Sequence, residues 1–460
     1  MVRFFIYSSP SPEGDEQIPD MNKPPQDSTS LSAADRRYLW HPFTQQQEWC
    51  KTEPLIIVSG KGPFLYDLKD REYLDGNSSI WTNIHGHAHP HIVEAITRQA
   101  ATLDHTSFLG TTHPGAIELA ERLVALFPGA PLSRVFFSDN GSTAIEAALK
   151  MTVQYWQLIG HPERSRFVSF ANGYHGDTSG AASLGGNNLF FNRFASVHFP
   201  VEQVDTVAAL EALPLPETIA AIVLEPIIQG VAGMRPWPKS MLQELRSFCD
   251  RTGILLIFDE VMTGFGRTGT MFACQQENVT PDFLAMAKGL TGGTMPLAAT
   301  MTTEKIYKAF LGTYAEQKTF YYGHSYTAHP IGCAAALASL EVFEQESVLE
   351  KLPAKISHFT TVLEKLKTLP HVAEIRQYGL IAGIDIAQDS KIPFPWQDQM
   401  GTNICLAARK HGLLTRPIGD TIVLMPPLCM TEKQIAFAVN ALSKAIRETN
   451  ICNCSGVLKN

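Results

Sequence analysis

Two residues of opposite charge, Asp259 and Lys288, lie 29 residues apart, and each is attached to an apolar segment. The segment GILLIFDE ends in Asp259 and Glu260, as a buried parallel strand does when a carboxylate closes it. The segment DFLAMAKGLTGG delivers Lys288 into a glycine-rich turn. Apolar surroundings lower the pKa of an amine and make it a nucleophile towards carbonyl groups. The two segments therefore predict a Schiff-base lysine with a buried carboxylate nearby.

These two groups are what pyridoxal phosphate (PLP) requires of its protein: a lysine that attaches the cofactor and a partner for the pyridine nitrogen. Each segment alone also fits ordinary structure, namely the end of a core strand and a surface lysine beside a loop. The combination favours the cofactor. We therefore predict that Lys288 is the catalytic residue and that Asp259 and Lys288 both bind PLP.

The composition of the 460 residues is that of a globular protein with a large core, since 45% are hydrophobic and 18% are charged. The net charge is −8 and no stretch is rich in Lys or Arg, which argues against nucleic acid as a partner. No run of about 18 apolar residues is present, which argues against a membrane span. The eight cysteines include no CxxC pair, so we expect a reducing, cytoplasmic location.

Strand and helix patterns alternate from about residue 115 to 345, which predicts a large α/β domain, residues 85–345, with a mostly parallel sheet covered by helices. The expected strands are 134–139, 166–170, 219–226, 254–260 and 282–287. The clearest helix is 141–156, where Thr143 and Glu146 have the spacing of a capping box. Ligands collect at the carboxyl ends of parallel strands. One crevice should therefore gather Ser138–Ser142, Glu225, Asp259 and Lys288.

A smaller α+β domain is predicted from both ends of the chain, residues 31–84 and 346–450. In the second segment we expect a helix, then two strands around Gly379, a hairpin turning at Gly419–Asp420, and a last helix. In the first we expect a hairpin that turns at Lys69–Asp70 and packs against the C-terminal part. Residues 1–30 and 451–460 are predicted to be a disordered extension and a loose tail.

Two glycine-containing turns that follow strands are candidates for cofactor binding. In SDNGS, a helix begins, and its free backbone N–H groups favour an anion, so Gly141 and Ser142 could hold a phosphate. In NGYHGDT, Tyr174 could stack on a flat ring, with Asp177 to hold a neighbouring group. An ordinary N-cap and a surface turn explain the same residues when each motif is taken alone.

Trp81 and Arg416 are candidates for substrate binding. Trp81 in SSIWTNIHGH could wall a pocket, and Arg416 in TRPIGD could receive a carboxylate in a bidentate manner. Core packing and solvation are the competing explanations. The histidines of HGHAHPH are interrupted by Pro90 and have no carboxylate or cysteine among them, so we predict a loop and no metal site there.

The motifs SDNGS, NGYHGD, LEPI, FDEVMTGFGRTG and AKGLTGG, in this order, resemble the class III PLP-dependent aminotransferases of fold type I. The resemblance extends from about residue 35 to 445. It implies a transaminase in which Lys288 forms the Schiff base and Asp259 binds the pyridine nitrogen. It further implies that Gly141 and Ser142 hold the phosphate and that Tyr174 stacks on the ring.

The same resemblance implies a homodimer with active sites at the interface. The segment YYGHSYTAHP would come from the partner subunit. Gly323 would then contact substrate in the other subunit, while His324 and Ser325 would complete its phosphate site.

Within the class, DRRYLWHPFTQ, SSIWTNIHGH, KGLTGGTMPLAAT and LLTRPIGDTIVLMPP resemble the members that aminate 8-amino-7-oxononanoate (7-keto-8-aminopelargonate) to 7,8-diaminopelargonate in biotin biosynthesis. This implies a substrate site formed by Phe43, Trp81, Tyr174, Lys288, Gly323 and Arg416. Arg416 would receive the carboxylate of the keto acid. The alternative is another class III aminotransferase, acting on an ω-amino acid or ornithine with a 2-keto acid.

Two departures from the pattern leave the amino donor open between S-adenosylmethionine and lysine. Phe43 stands where many members have a tyrosine, and Gly323-His324-Ser325 stands where the usual sequence is Gly-Pro-Thr. Both changes resemble a branch that uses lysine. Ser325 retains a hydroxyl that can donate to a phosphate.

Overall fold

The computed structural model describes residues 28–186, 188–389 and 392–449. The predicted N-terminal extension and C-terminal tail lie outside this range, apart from Ser28–Ser30, which begin the first helix. The described chain divides into two compact units. One comprises the residues up to Ser59 with Tyr66–Arg71, and the other comprises Gly60–Leu65 with the residues from Glu72 onward. The division into a large and a small domain at residues 84 and 345 stays a prediction.

The described α-helices are, in chain order, α1 Ser28–Tyr38, α2 Gln46–Trp49, α3 Ser78–Trp81, α4 Pro90–Thr102, α5 Pro114–Ala125, α6 Gly141–Leu158, α7 Ser179–Ser183, α8 Asn188–Phe191, α9 Val207–Leu210, α10 Met241–Thr252, α11 Glu304–Ala309, α12 Pro330–Gln345, α13 Val348–Leu363, α14 Met400–Lys410 and α15 Glu432–Glu448. Among these helices, none combines the length and the apolar character needed to cross a membrane.

The described strands are β1 Ile57–Lys61, β2 Phe64–Asp67, β3 Glu72–Asp75, β4 Leu132–Ser138, β5 Arg166–Phe170, β6 Val201–Val204, β7 Ile219–Leu224, β8 Ile228–Gln229, β9 Arg235–Pro236, β10 Leu255–Asp259, β11 Phe283–Met286, β12 Ala298–Thr303, β13 Val372–Tyr378, β14 Ile381–Ile386, β15 Leu413–Leu414, β16 Arg416–Ile418 and β17 Thr421–Leu424.

A seven-stranded sheet with the order β4-β12-β11-β10-β7-β5-β6 forms the centre of the second unit. The pairs β11-β10, β10-β7, β7-β5 and β5-β6 are parallel. β12 is antiparallel to both of its neighbours, so β4 runs in the same direction as the parallel strands. The mostly parallel sheet and all five predicted strands are thus confirmed, within a residue or two at their ends.

Both faces of this sheet are buried, which explains why its strands are continuously apolar. Along β10, Leu255 and Ile257 belong to one hydrophobic cluster, whereas Leu256 and Phe258 belong to another. Successive side chains of a strand point to opposite faces, so each face contributes to its own core. Burying one such side chain stabilises the fold by about 1.5–3 kcal/mol.

Helix α6 covers one face of the sheet and begins beside the carboxyl end of β4. The predicted helix is confirmed, and the side chains on the face that it turns to the sheet are buried: Ile145, Ala148, Leu149, Thr152 and Trp156. The predicted capping box of Thr143 with Glu146 is wrong. The box is formed by Asn140 and Thr143, and Glu146 instead accepts a hydrogen bond from the backbone N–H of Gly180 at 2.7 Å.

The C-terminal part forms an antiparallel sheet, β13-β14-β17-β16, together with α13, α14 and α15. The predicted turns at Gly379 and at Gly419–Asp420 are confirmed, since they join β13 to β14 and β16 to β17. The turn at Lys69–Asp70 is also confirmed by the hydrogen bond from Asp67 N–H to the Arg71 carbonyl. β3 pairs in parallel with β15, which joins residues before 84 to the C-terminal part as expected.

Candidate active site

The segments that follow β4, β5, β7 and β10 contact one another at the carboxyl edge of the sheet. The backbone N–H of Tyr174 donates to Oε1 of Glu225 at 3.1 Å. His175 Nδ1 lies 2.8 Å from Oδ2 of Asp259. The backbone N–H of Asp177 donates to Oγ of Ser142 at 3.2 Å. The structure thus brings together residues that the sequence placed at separate strand ends.

Lys288 begins a 3-10 helix, Lys288–Thr291, directly after β11. Its Nζ lies 5.1 Å from the centroid of the Trp81 ring, and among the described residues Nζ has no hydrogen-bond acceptor. Burial lowers the pKa of Lys288, and the charge of Arg267 acts in the same direction, while the charges of Asp259 and Glu225 oppose the shift in part. A larger fraction of the amine is therefore neutral near pH 7, as a nucleophile requires.

Asp259 is buried at the end of β10 and is held by two hydrogen bonds. Oδ1 accepts the backbone N–H of Val261 at 3.1 Å, and Oδ2 pairs with His175. Burial acts to lower the pKa of His175, but the hydrogen bond to Asp259 and the charges of Asp259 and Glu225 outweigh it, so that the pKa is raised. A protonated His175 donates this hydrogen bond and so fixes the orientation of the Asp259 side chain.

The sequence predicts an anion site at the N-terminus of α6. Gly141 and Ser142 form its first turn, after the N-cap residue Asn140. The neighbouring Gly176 has φ +123°, and a Cβ placed on it would lie 2.1 Å from Oγ of Ser142. Only glycine therefore lets this backbone approach the helix start, where free N–H groups favour an anion.

Two contacts fix the position of the Tyr174 side chain. Its hydroxyl donates to Oδ2 of Asp177 at 2.8 Å, and its ring stacks against Phe191 with 5.9 Å between centroids. Burial and the charge of Asp177 raise the pKa of Tyr174, so that it remains a neutral phenol. The neighbouring group that Asp177 was predicted to hold is thus the Tyr174 side chain itself. The stacking of Phe191 on Tyr174 was not foreseen from the sequence.

Trp81 lies beside Lys288 and is anchored by its indole N–H, which donates to Oδ1 of Asn77 at 3.0 Å. It packs at the edge of a hydrophobic cluster that includes Val423 of β17. Arg416 of β16 is the register partner of Val423, is exposed, and has no ion pair with another described residue. The strand that carries Arg416 thus lies beside the cluster that Trp81 joins.

Trp81 and Lys288 both have left-handed backbone conformations, with φ 65° and φ 46°. Such conformations in residues other than glycine cost about 1–3 kcal/mol each and concentrate at functional sites. Their occurrence in two residues that contact each other supports a functional role for this place.

Phe43 belongs to the first compact unit, where it is 60% exposed and also has a positive φ of 50°. Its predicted part in the substrate site stays a prediction.

The residues on either side of Gly323 are partly buried, and one of them, His324, is anchored within its own chain. His324 Nδ1 lies 3.1 Å from Oδ2 of Asp139, and Nε2 lies 2.9 Å from the Tyr322 hydroxyl. Gly323 and Ser325 are exposed. The predicted roles of Gly323, His324 and Ser325 in a partner's active site stay predictions.

The histidine-rich segment disperses its side chains to separate partners, namely Ser339 for His85, Asp75 for His87, Glu346 for His89 and Glu341 for His91. Across residues 28–186, 188–389 and 392–449, no group of three or more His, Cys, Asp or Glu side chains is arranged to hold a metal ion.

Arg267 is a site residue that the sequence interpretation did not single out. It is 1% exposed, and its guanidinium donates to the carbonyls of Asn83 at 2.5 Å and Pro426 at 2.7 Å. Its charge lowers the pKa of Lys288. The motif FDEVMTGFGRTG contained it, but neither spacing nor periodicity indicates that this arginine is buried. The pairing of His175 with Asp259 was likewise not foreseen from the sequence.

A family model described as aminotransferase class-III matches residues 46–446 of the chain. The chain belongs to the class III aminotransferases. This class III aminotransferase is 46% identical to the adenosylmethionine-8-amino-7-oxononanoate aminotransferase of Geobacter sulfurreducens, over 92% of this chain and 98% of the relative.

The crystal structure of adenosylmethionine-8-amino-7-oxononanoate aminotransferase from Methanocaldococcus jannaschii is similar with a TM-score of 0.90 and 40% identity, covering 92% of this chain and all of the other. An amine transaminase from an uncultivated Pseudomonas species, solved in its PLP-bound form, has a TM-score of 0.84 and 35% identity, covering 89% and 98%. These likenesses confirm the predicted fold-type I α/β architecture of the class III aminotransferase.

Proposed function

We propose that this class III aminotransferase uses PLP to convert 8-amino-7-oxononanoate to 7,8-diaminopelargonate in biotin biosynthesis, with S-adenosylmethionine as amino donor. The observation that carries the proposal is the similarity, along nearly the whole chain, to proteins named for this reaction. The amine of Lys288 beside Trp81, with Asp259 buried nearby, is the arrangement that the chemistry needs.

The described residues fit PLP at each of its functional parts. Lys288 offers an amine with a lowered pKa for attachment, and Asp259 offers a carboxylate for the pyridine nitrogen. Gly141 and Ser142 offer a helix N-terminus for the phosphate. A side chain at position 176 would collide with Ser142, and the glycine there avoids this. Tyr174 offers a neutral aromatic face for the ring.

When bound, PLP supplies an electron sink for the carbanion formed at the donor carbon. Lys288 would attach the cofactor through its amine, and the same amine, when free, would move a proton to and from the reacting carbon as a general base and acid. Asp259 would hold the proton of the ring nitrogen, and His175 orients Asp259 through the hydrogen bond between them. Trp81 covers Lys288, while Arg416 binds the substrate carboxylate as an exposed guanidinium without a competing partner among the described residues.

The class III aminotransferase is proposed to act as a homodimer in the cytoplasm, with a large domain of residues 85–345 and a small domain from residues 31–84 and 346–450. The exposed Gly323 and Ser325 would serve the site of the partner subunit, with the phosphate site completed by His324. Phe43 would line the substrate pocket.

Two candidate donors are distinguished by half-reactions of the purified, PLP-loaded protein. We expect S-adenosylmethionine alone to bleach the cofactor absorption band, because the amino group then remains on the cofactor. Bleaching by lysine alone would show that lysine is the amino donor, as in the branch of the family whose sequences resemble this chain at Phe43 and at Gly323-His324-Ser325. The readout is the absorbance spectrum, with the Lys288→Ala variant as the control that cannot complete the half-reaction.

A second candidate function is favoured by the likeness to an amine transaminase. In that case neither S-adenosylmethionine nor lysine would bleach the band, whereas an ω-amino acid or ornithine would bleach it and a 2-keto acid added afterwards would restore it. That outcome would refute the biotin assignment and leave only the class III activity.

A further inference from the structure

The buried carboxylate of Glu225 connects two separate segments of the site. Oε1 accepts the backbone N–H of Tyr174 at 3.1 Å, and Oε2 accepts the backbone N–H of Gly230 at 2.8 Å. The carbonyl of the same residue accepts the indole N–H of Trp237 at 2.9 Å. Glu225 is 6% exposed, so these bonds form where water competes little for them.

The turn at Gly230 packs against the Trp81 ring. A Cβ built on Gly230 would lie 3.3 Å from Cζ3 of the Trp81 ring and 2.5 Å from Sδ of Met262. Met262 and Trp81 belong to the same hydrophobic cluster. A displacement of the turn at Gly230 would therefore be transmitted directly to the ring that covers Lys288.

We propose that Glu225 is a positioning residue, whose two carboxylate oxygens hold the Tyr174 loop and the Gly230 turn in register and so fix both the cofactor-stacking ring and the Trp81 wall. The inference rests on the proposed function, because it assigns Tyr174 to the cofactor and Trp81 to the substrate. It requires an ionised Glu225, since a protonated oxygen would turn a donor towards one of the two backbone N–H groups.

The pKa of Glu225 lies near neutral pH. Burial raises its pKa to about 7, with the charge of Asp259 acting in the same direction and His175 and the two backbone N–H groups opposing it. Tyr174 and Lys288 also lie within the reach of its charge. As pH falls through about 7, Glu225 takes up a proton and one of its two backbone bonds is lost.

The test is Glu225→Gln, which keeps the size of the side chain but replaces one acceptor by an N–H₂ donor. We expect kcat/KM to fall about tenfold to a hundredfold, as displacements of about 1 Å at a catalytic site do. The circular-dichroism band of bound PLP should change before any substrate is added, and the limb of the pH profile near 7 should disappear. Glu225→Asp retains the charge, so its circular-dichroism band should lie between those of the wild type and of Glu225→Gln.

Glu277→Gln is the matched control. The Glu277 carboxylate also accepts backbone N–H groups, from Ser240 at 2.9 Å, Leu242 at 3.0 Å and Gln243 at 3.4 Å, and none of these residues belongs to the candidate site. Its variant should lose thermal stability only. If Glu225→Gln likewise lowers the melting temperature while the PLP band, KM, kcat and pH profile stay as in the wild type, the positioning role is refuted.

The outcome is separable from that of the proposed function. A change in the dichroism of bound PLP is measured without substrate, and it would support the positioning role even if the wild-type protein failed to aminate 8-amino-7-oxononanoate. An unchanged band in a variant whose wild type performs that reaction would refute the positioning role alone.

Discussion

Replacement of Lys288 by alanine is expected to lower turnover by at least about 10³-fold, because the change removes both the attachment point and the acid–base group. The fold should persist, since Nζ makes no hydrogen bond to another described residue and lies 5.1 Å from the centroid of the Trp81 ring. Steady-state kinetics measure the loss, and thermal unfolding checks the fold.

Lys355→Ala is the matched control for this variant. Lys355 is also half-buried with a pKa lowered by burial, but its amine donates to the Leu428 carbonyl at 2.5 Å in the C-terminal part. Its removal should leave the activity per folded molecule within about threefold of the wild type. A Lys288→Ala protein that kept a tenth of wild-type turnover would contradict the role assigned to Lys288.

Replacement of Asp259 by asparagine is expected to lower kcat by at least about 100-fold, comparable to the loss of a preorganised electrostatic group. Asparagine can still accept the Val261 N–H, but its neutral amide can neither hold a proton on a pyridine nitrogen nor stabilise a protonated His175. The pKa of His175 should fall in this variant, because the hydrogen bond and charge that raise it are removed. Kinetics and NMR titration of His175 measure the two effects.

Asp282→Asn serves as the control for the neutralised carboxylate. Asp282 accepts the backbone N–H of Leu256 at 2.8 Å and the Arg246 guanidinium at 3.0 Å, outside the candidate site. Its variant is expected to be less stable but to retain its activity per folded molecule. Equal losses of kcat in Asp259→Asn and Asp282→Asn would show that the loss reflects packing rather than the cofactor nitrogen.

The fold was predictable where local pattern and burial agree. The strand at 166–170 was predicted to the residue, because RFVSF is rich in aromatic and β-branched residues and is bounded by turn residues. β12, with the sequence AATMTT, was missed because its threonines look polar. In the structure Thr300 and Thr302 donate to the carbonyls of Ala144 and Asp282, and this tertiary contact makes their burial possible.

The candidate site was predictable as a set of strand ends but not as a network. Asp259 and Lys288 were recognised from their apolar approaches, yet the pairing of His175 with Asp259 joins residues 84 positions apart. The capping box failed for a related reason: Thr143 is engaged by Asn140, and the Glu146 carboxylate is taken by the distant Gly180. Sequence spacing indicates which groups are available, whereas three-dimensional packing decides which partner each one takes.

The most direct test of the account is a single turnover with protein whose cofactor has first been aminated and freed of donor. Addition of 8-amino-7-oxononanoate should restore the cofactor absorption band and yield about one equivalent of 7,8-diaminopelargonate per active site, detected by mass spectrometry. If the band returns only with pyruvate or another 2-keto acid, and no diamine forms, the proposed function is contradicted.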